Sequence, residues 1–508
     1  MSYTVKIEEP DFSNPIVGNF NINPVYFSWS AYGGPHIAHL KLTGSLRSLI
    51  AALRLLRSPV TVYANITTPV WWGYVREVII YFGNLQMMVT LDQLFNRVKV
   101  QYSFLSPDNH LADQSETDWT EDLGSQTLFG TKELIIHRSK IDDDFADNLA
   151  STFLDNHAWP ETELSQSHLD DPTAHAVIKC AGWFETLDWK YYEYLNNFYA
   201  NYGPGPGTFE FGQATTSRRP SQLFTANANG DLYYAYFQLR KVGSPTRNLL
   251  ATLRDASGTI LSSSNVFDGS TLSETSYTWV KFTFPTPYSL VSGTSYMIGV
   301  YTNSVDTSNY FAIKTDENQG YVGGYARYYN GSVWANIPSV TAPGRTCDLI
   351  FRAICKTDTG DQINAIATAG DQFFSKIVTP TTGLLTSPYR ANGYSCHREI
   401  VDLMDLGTGT RKILAKVNHL RQLEFYEQPN PKNPTVFLGD DAIFYDAYGQ
   451  PLKPHFPPVG QFAAYRGSSN LLFPFDNPKT PPAFIGLVEY WPETGGVKIH
   501  SDPSQERR

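Results

Sequence analysis

Few residues in this 508-residue chain have the types and spacing that chemistry needs. His36 and His39 stand three apart in GGPHIAHL with no third metal ligand nearby, so a surface or supporting role suits them better than coordination. Asp142, Asp143 and Asp144 run together, but the twelve-residue loop and closing Glu of a calcium site are missing. At the first turn of a helix these carboxylates would instead meet unpaired backbone amides. Glu489 and Glu493 would serve sugar hydrolysis only if the fold held them about 5 to 9.5 Å apart across a cleft. His397 and Glu399 are two apart on a predicted helix and do not face each other. No GxGxxG follows a strand, and GxxxxGK(S/T), HExxH and GxSxG are absent. No catalytic, cofactor-binding or metal-binding set is assigned, and the chain is not expected to be an enzyme.

The aromatic residues carry more signal. Tyr233, Tyr234, Tyr236 and Phe237 crowd one predicted strand, and Tyr325, Tyr328, Tyr329 and Trp334 crowd YARYYNGSVWANI. Adjacent rings in a strand point to opposite faces, so these cannot all enter one core. Exposed rings beside loop amides and carboxylates are what a sugar needs, its C–H face on the ring and its hydroxyls on polar groups. Tyr328, Tyr329 and Trp334 are the candidate stacking residues, presented by a turn at Asn330-Gly331. The alternative is that these rings fill a core or brace a neighbouring domain.

The elements that would position them are β-type. From about Ser217 to Cys355, short strands alternate with Gly, Pro, Ser, Asn and Asp turns every 8 to 12 residues, the spacing of an antiparallel sandwich. Val280, Phe282 and Phe284 alternate with Trp279, Lys281 and Thr283, as a half-buried strand requires. Helical spacing appears on both sides. Leu46, Leu49, Ile50, Leu53 and Leu56 mark one helix with Arg47, Arg54 and Arg57 toward solvent. Phe145, Leu149 and Phe153 mark a second, Ile363, Ile366, Phe373 and Ile377 a third, and HREIVDLMDLG a fourth closed by Gly407. Gly83-Asn84 reads as a hairpin turn, and AHAVIKCAGWFETLDWKYYEYL as a strand, a turn and an aromatic strand. Trp72, Gly73, Gly182, Trp183 and Trp189 are the expected structural anchors, the glycines permitting close approach beside large rings. Because neighbours in a strand face opposite ways, Trp71 competes with Trp72 for the core.

The fold class expected is multidomain and mainly β, with α+β flanks. Domains are expected at 1–105 (barrel-like), 106–200 (α+β), 212–355 (the sandwich), 356–429 (α+β) and 430–508 (β-rich, closing on the tail DPSQERR, which reads as disordered). Only 17% of residues are charged and 14% are aromatic, which suits packed β cores assembled against partners. A net charge of −10 argues against a grip on nucleic acid. The N-terminal residues contain no apolar signal segment, and no run of about 18 apolar residues suggests a membrane span. The four cysteines, Cys180, Cys347, Cys355 and Cys396, read as buried free thiols.

Two flanking stretches carry a family pattern. Val60 to Phe104 includes Trp72-Gly73 and the strand Asn96-Arg-Val-Lys-Val-Gln-Tyr102. Phe129-Gly-Thr-Lys-Glu133 precedes a helix and then Gly182-Trp-Phe-Glu-Thr-Leu-Asp-Trp189. In this order the motifs resemble bacteriophage tail hub proteins of the baseplate or tail tip, and Asp361 to Ile377, Tyr389 to Gly393 and Glu399 to Glu427 resemble their later half. The sandwich is similar to the jelly-roll, carbohydrate-binding-like modules of viral tail proteins, through Arg240-Lys-x-Gly-Ser-Pro245, Trp279-Val-x-Phe282 and Ser292-Gly-Thr-x-Tyr296.

The resemblance implies a homotrimeric ring in the virion tail, assembled in the host cytoplasm, which joins the tail tube to the tip proteins. DNA would pass through its channel without specific binding, and an acidic wall would keep that passage non-sticky. The sandwich would face outward toward a host surface glycan. Two other classes stay open: a glycan- or peptidoglycan-degrading tail enzyme with an accessory module, and a peripheral receptor-binding fibre protein.

Overall fold

The computed structural model describes residues 2–16, 18–105, 111–192, 198–201, 207–213, 219–226, 229–302, 306–317, 321, 323–339, 344–386, 394–431, 433–439, 443–453, 458–465 and 482–501. Tyr389 to Gly393, most of the Gly/Pro linker at 203–207 and the DPSQERR tail lie outside the described residues. The fold is multidomain and mixed α+β, dominated by antiparallel sheets. The chain divides into two compact units: Met1–Tyr192 with Thr359–Leu384 and Ala391–Arg508, and Glu193–Asp358 with Leu385–Arg390. Among the described residues no helix is long and apolar enough to cross a membrane.

The first unit is organised on an 11-stranded sheet, in which two long strands, Thr68–Thr90 and Thr162–Ala181, pair antiparallel. Trp71, Val75, Val78 and Ile80 are buried there, so this strand is apolar well beyond simple alternation. The hairpin expected at Gly83-Asn84 does not form. Gly83 takes φ +59° inside one continuous strand, opposite Asp171, where the register to the partner slips. A positive-φ glycine serves a bulge as readily as a turn, and the long partner strand selects the bulge. Leu487–Trp491 pairs with Phe20–Ser30, which brings the two ends of the sequence into one sheet.

A second sheet of this unit centres on Arg97–Leu105, antiparallel to Leu111–Glu116 and parallel to Glu133–Ser139. The helix Asp143–His157 covers it with Ala146, Ala150 and Leu154 against Val98, Val100 and Tyr102. Phe145 is 56% exposed, contrary to the expected stripe. Small alanines let the helix approach closely, leaving Leu149 and Phe153 to pack at the margins. Asp142 accepts from the Phe145 N–H at 2.8 Å and Asp143 from the Tyr102 hydroxyl at 2.6 Å, so two of the three acids cap and brace this helix.

Arg57 also departs from its expected place, for it is 8% exposed. The helix Leu46–Ala51 tightens into a 3-10 turn at Ala52–Leu55, which shifts the helical phase before Arg57 is reached. The Arg57 guanidinium then lies 4.3 Å from the Phe373 ring centroid and donates to the Pro10 carbonyl. Phe373 itself lies outside the helix Thr359–Gly370, and Ile377 sits in the short strand Lys376–Val378. Asp371 ends the helical run by accepting from the Phe373 and Phe374 amides at 3.0 and 2.8 Å. The helix Cys396–Leu406 closes at Gly407 (φ +55°) as expected.

The second unit contains a seven-stranded and an eight-stranded sheet. Both contribute to one core, with Leu249, Leu253, Ile298 and Phe224 from the first and Phe237, Phe282, Phe311 and Phe351 from the second. Its incoming strand Phe198–Asn201 pairs antiparallel with its outgoing strand Phe351–Asp358, so Phe198 faces Ile354. All four cysteines are buried and free.

Candidate functional site

In the second unit, Ala326–Tyr329 and Trp334–Asn336 form a hairpin around Asn330-Gly331. Gly331 takes φ +100°, and the Asn330 side-chain oxygen accepts from the Ser332 and Val333 amides at 3.0 Å each. This turn fixes the register that sets Tyr329 opposite Trp334, with ring centroids 5.6 Å apart and planes at 55°. Period two then separates the candidate stacking residues. Tyr329 and Trp334 are half-buried on one face. Tyr328 goes to the other, packing on the core with its ring 5.4 Å from Phe209.

Arginines share the outward face. Leu249, Ala251 and Leu253 enter the core, so the pleat turns Arg254 the other way. Arg254 is 4% exposed, its Nη1 donating to the Gly258 carbonyl at 2.7 Å, its Cζ 5.5 Å from the Trp334 ring. Arg327 donates to the Trp334 carbonyl at 3.3 Å. Arg219 lies over Tyr301 and Tyr329, at 4.5 and 5.3 Å. The turn after Arg254 is tied down by Asp255, whose Oδ1 accepts from the Gly258 and Thr259 amides at 2.8 Å each. Glycine is required at 258: φ is +104°, and a Cβ would lie 2.0 Å from the Trp334 Nε1.

These groups wall an open cleft of ≈ 600 Å³. An indole, a phenol and three guanidiniums line it, and no Asp or Glu is among its lining residues. Burial, and secondarily the neighbouring positive charge of Arg219, holds the Arg254 guanidinium below its ordinary pKa. The arrangement offers ring faces for a flat apolar surface and fixed cations for a polar group; it presents no nucleophile–base pair.

The sequence pointed to Tyr329 and Trp334 but not to Arg219, Arg254, Arg327 or Gly258. A period-two reading of Ala326-Arg-Tyr-Tyr329 would have set Arg327 beside Tyr329. Nothing local foretold that Arg254, from a distant strand, would meet Trp334.

The other candidates lie in the first unit. Trp71 is fully buried, whereas Trp72 is half-buried and donates its Nε1 to the Val417 carbonyl at 2.9 Å. Trp183 and Trp189 are buried against Tyr74 and Phe373, all four centroid distances being 5.3 to 5.6 Å. Both tryptophans belong to a 3-10 turn, Trp183–Trp189, in place of the expected aromatic strand. Gly73 and Gly182 are close-approach positions, where a Cβ would lie 2.1 Å from the Ala181 carbonyl oxygen and 1.8 Å from that of Pro35.

Glu489 accepts from the Tyr26 hydroxyl at 2.9 Å and bonds the His500 ring at 2.7 Å, while Glu493 lies in the following turn. His36 is 3.4 Å from Glu185, and His39 packs against Tyr26. His397 is buried against Phe184. Among the described residues no group of three or more His, Cys, Asp or Glu could hold a metal ion.

No protein-family model matches the chain, and no curated protein matches it. Among solved structures it is similar to the mosquito-larvicidal Cry4Aa toxin of Bacillus thuringiensis, with 8% identity over 62% of this chain and 54% of that one, TM-score 0.15. It is also similar to a glycoside hydrolase family 43 arabinoxylan arabinofuranohydrolase of Bacillus subtilis, with 9% identity over 58% of this chain and 64% of that one, TM-score 0.13. The matches thus span less than two thirds of those proteins, and likeness at such TM-scores carries no argument.

Proposed function

We propose that this chain is a structural hub protein of a bacteriophage tail tip or baseplate, and that its second unit grips a host-surface glycan without cleaving it. The single observation that carries the glycan reading is the Tyr329–Trp334 pair, held at 5.6 Å on the wall of an open cleft by a turn that fixes its register. A half-buried indole beside a half-buried phenol gives a pyranose ring an apolar surface with polar groups at its rim.

In this reading the two sheets sharing one core are the jelly-roll sandwich, and the 11-stranded sheet with its satellites is the barrel-like hub. The hub assignment rests on the ordered motifs of the flanks, of which Val60 to Phe104, Phe129 to Glu133, Gly182 to Trp189, Asp361 to Ile377 and Glu399 to Glu427 fall in the first unit. The ring would be a homotrimer on the tail axis, contacting tube and tip proteins. Three copies make weak single sites sufficient, since linked sites gain about 10²- to 10⁴-fold in avidity.

The test has two arms. Electron microscopy of the assembled particle should place the chain on the tail axis in threefold symmetry; a peripheral location or another symmetry removes the hub assignment. Host-glycan array binding by the full chain should be lost in Trp334→Ala while the thermal transition is kept. An array without signal, together with Trp334 covered by a neighbour in the particle, replaces the grip with a bracing role.

A further inference from the structure

We infer that the cleft takes an acidic saccharide, its ring on Trp334 and Tyr329 and its carboxylate or phosphate ester on the guanidiniums of Arg219, Arg254 and Arg327. The inference rests on the glycan-binding reading above and specifies the class of sugar.

The first reason is positive charge held in no ion pair. Guanidinium groups stay protonated throughout the physiological range, so three fixed cations surround a cleft of ≈ 600 Å³. Among the described residues none of the three has a carboxylate within salt-bridge distance. The nearby acid, Asp255, turns its oxygen toward the amides and hydroxyl of Ser257 to Thr259. Asp255 acts on Arg254 only at a distance, and Arg219 and Arg254 repel each other, a repulsion that an anion bound among them removes.

The second reason is unused hydrogen-bonding capacity. The Nε of Arg219, Nη2 of Arg254 and Nε of Arg327 are buried without a partner, so they would meet a ligand through a shift of the side chains toward the cleft. The bonds these side chains do make go to neutral acceptors, the carbonyls of Gly258, Ala256 and Trp334, the hydroxyl of Thr252 and the Met297 Sδ. Arginine is best matched to planar or tetrahedral oxyanions, which accept from two of its donors at once.

The third reason is position. Arg254 Cζ lies 5.5 Å from the ring centroid of Trp334 and Arg219 Cζ 5.3 Å from that of Tyr329, so rings and cations share one wall of the cleft within the span of a single charged sugar. A polyanionic strand of nucleic acid is a poorer occupant, because a net charge of −10 opposes an extended run of phosphates more than the single carboxylate or phosphate ester of one sugar.

The experiment is calorimetric titration of the full chain with matched pairs: trigalacturonate against galactotriose, sialyllactose against lactose, and glucose 6-phosphate against glucose. Inorganic phosphate and a thymidine oligonucleotide complete the panel. At least one acidic member should bind about ten- to a hundred-fold more tightly than its neutral counterpart, the range expected for charge-assisted hydrogen bonds. Raised salt should shrink that preference. Arg219→Gln, a change at a half-buried loop position, should shrink the acidic-over-neutral preference several-fold, whereas Trp334→Ala should weaken both members of the pair to a similar degree and leave their ratio. Melting curves of both variants would verify the fold.

Equal affinity within every pair overturns the acidic assignment and leaves the glycan reading standing. Binding of inorganic phosphate with no saccharide bound overturns both and leaves a bare anion pocket. Tighter binding of the oligonucleotide than of any sugar overturns the inference in favour of nucleic acid. Absence of any binding overturns both readings.

Discussion

Trp71 and Trp72 are neighbours of one residue type, and the pleat alone separates their environments. Trp71 faces inward and is fully buried; Trp72 faces the other way, half-buried, with its Nε1 tied to the Val417 carbonyl. Truncating Trp71 to Ala should cost about 3–5 kcal/mol through lost burial and the cavity left behind. The same change at Trp72 removes one hydrogen bond and part of a ring contact, about 1–2 kcal/mol. Urea midpoints of the two variants check this, and a larger loss for Trp72→Ala would reverse the assignment. At this scale much was legible in the sequence. Two adjacent tryptophans in a strand had to divide between faces, and Tyr329 and Trp334 stood out as rings beside a turn. The arginines did not stand out, because Arg254 becomes a cleft residue only through pairing with strands distant in sequence.

Glycine has opposite meanings at three places in the same sheet system, and the difference belongs to the elements. Gly73 and Gly182 let backbone carbonyls approach to where a Cβ would sit, and the nearest atoms, the oxygens of Ala181 and Pro35, cannot rotate away. Alanine at either position should cost about 1–3 kcal/mol or more through forced backbone shifts. Gly83 has nothing within 4 Å of its would-be Cβ and only its φ of +59° to lose. Gly83→Ala should therefore cost about 1 kcal/mol. Thermal midpoints of the three variants give the ranking, which fails if Gly83→Ala is the worst. This also marks where element reading falters. A glycine with positive φ announces a departure from regular backbone, but only the partner strand decides between hairpin and bulge. Likewise helical spacing correctly found Asp143–His157, yet placed its apolar stripe on Phe145 when the closest contacts belong to Ala146 and Ala150. Side-chain size selected the exposed residue, whereas close packing favoured the small ones.

The second unit should behave as a folding unit in its own right, since one core is shared by its two sheets and its chain ends are paired strands. The 193–358 segment expressed alone should give a cooperative unfolding transition and dispersed amide resonances; a molten product would show that it depends on the rest of the chain. The return strand Leu385–Thr386, which pairs with Thr357 and Asp358, would be missing from that fragment and makes its C-terminal edge the first place to fray. Pairings such as Leu487–Trp491 with Phe20–Ser30 in the other unit could not be read locally, because no residue pattern encodes a partner more than 450 positions away. The side-by-side ends of the second unit have a mechanical consequence. A tension applied between residues 193 and 358 peels Phe198–Asn201 from Phe351–Ile354 one hydrogen bond at a time, the weak loading direction for an antiparallel pair. A load entering at the Trp334 cleft does not draw residues 193 and 358 apart, because this unit is tethered in parallel at every crossing of the chain, at 193, 358, 385 and 390.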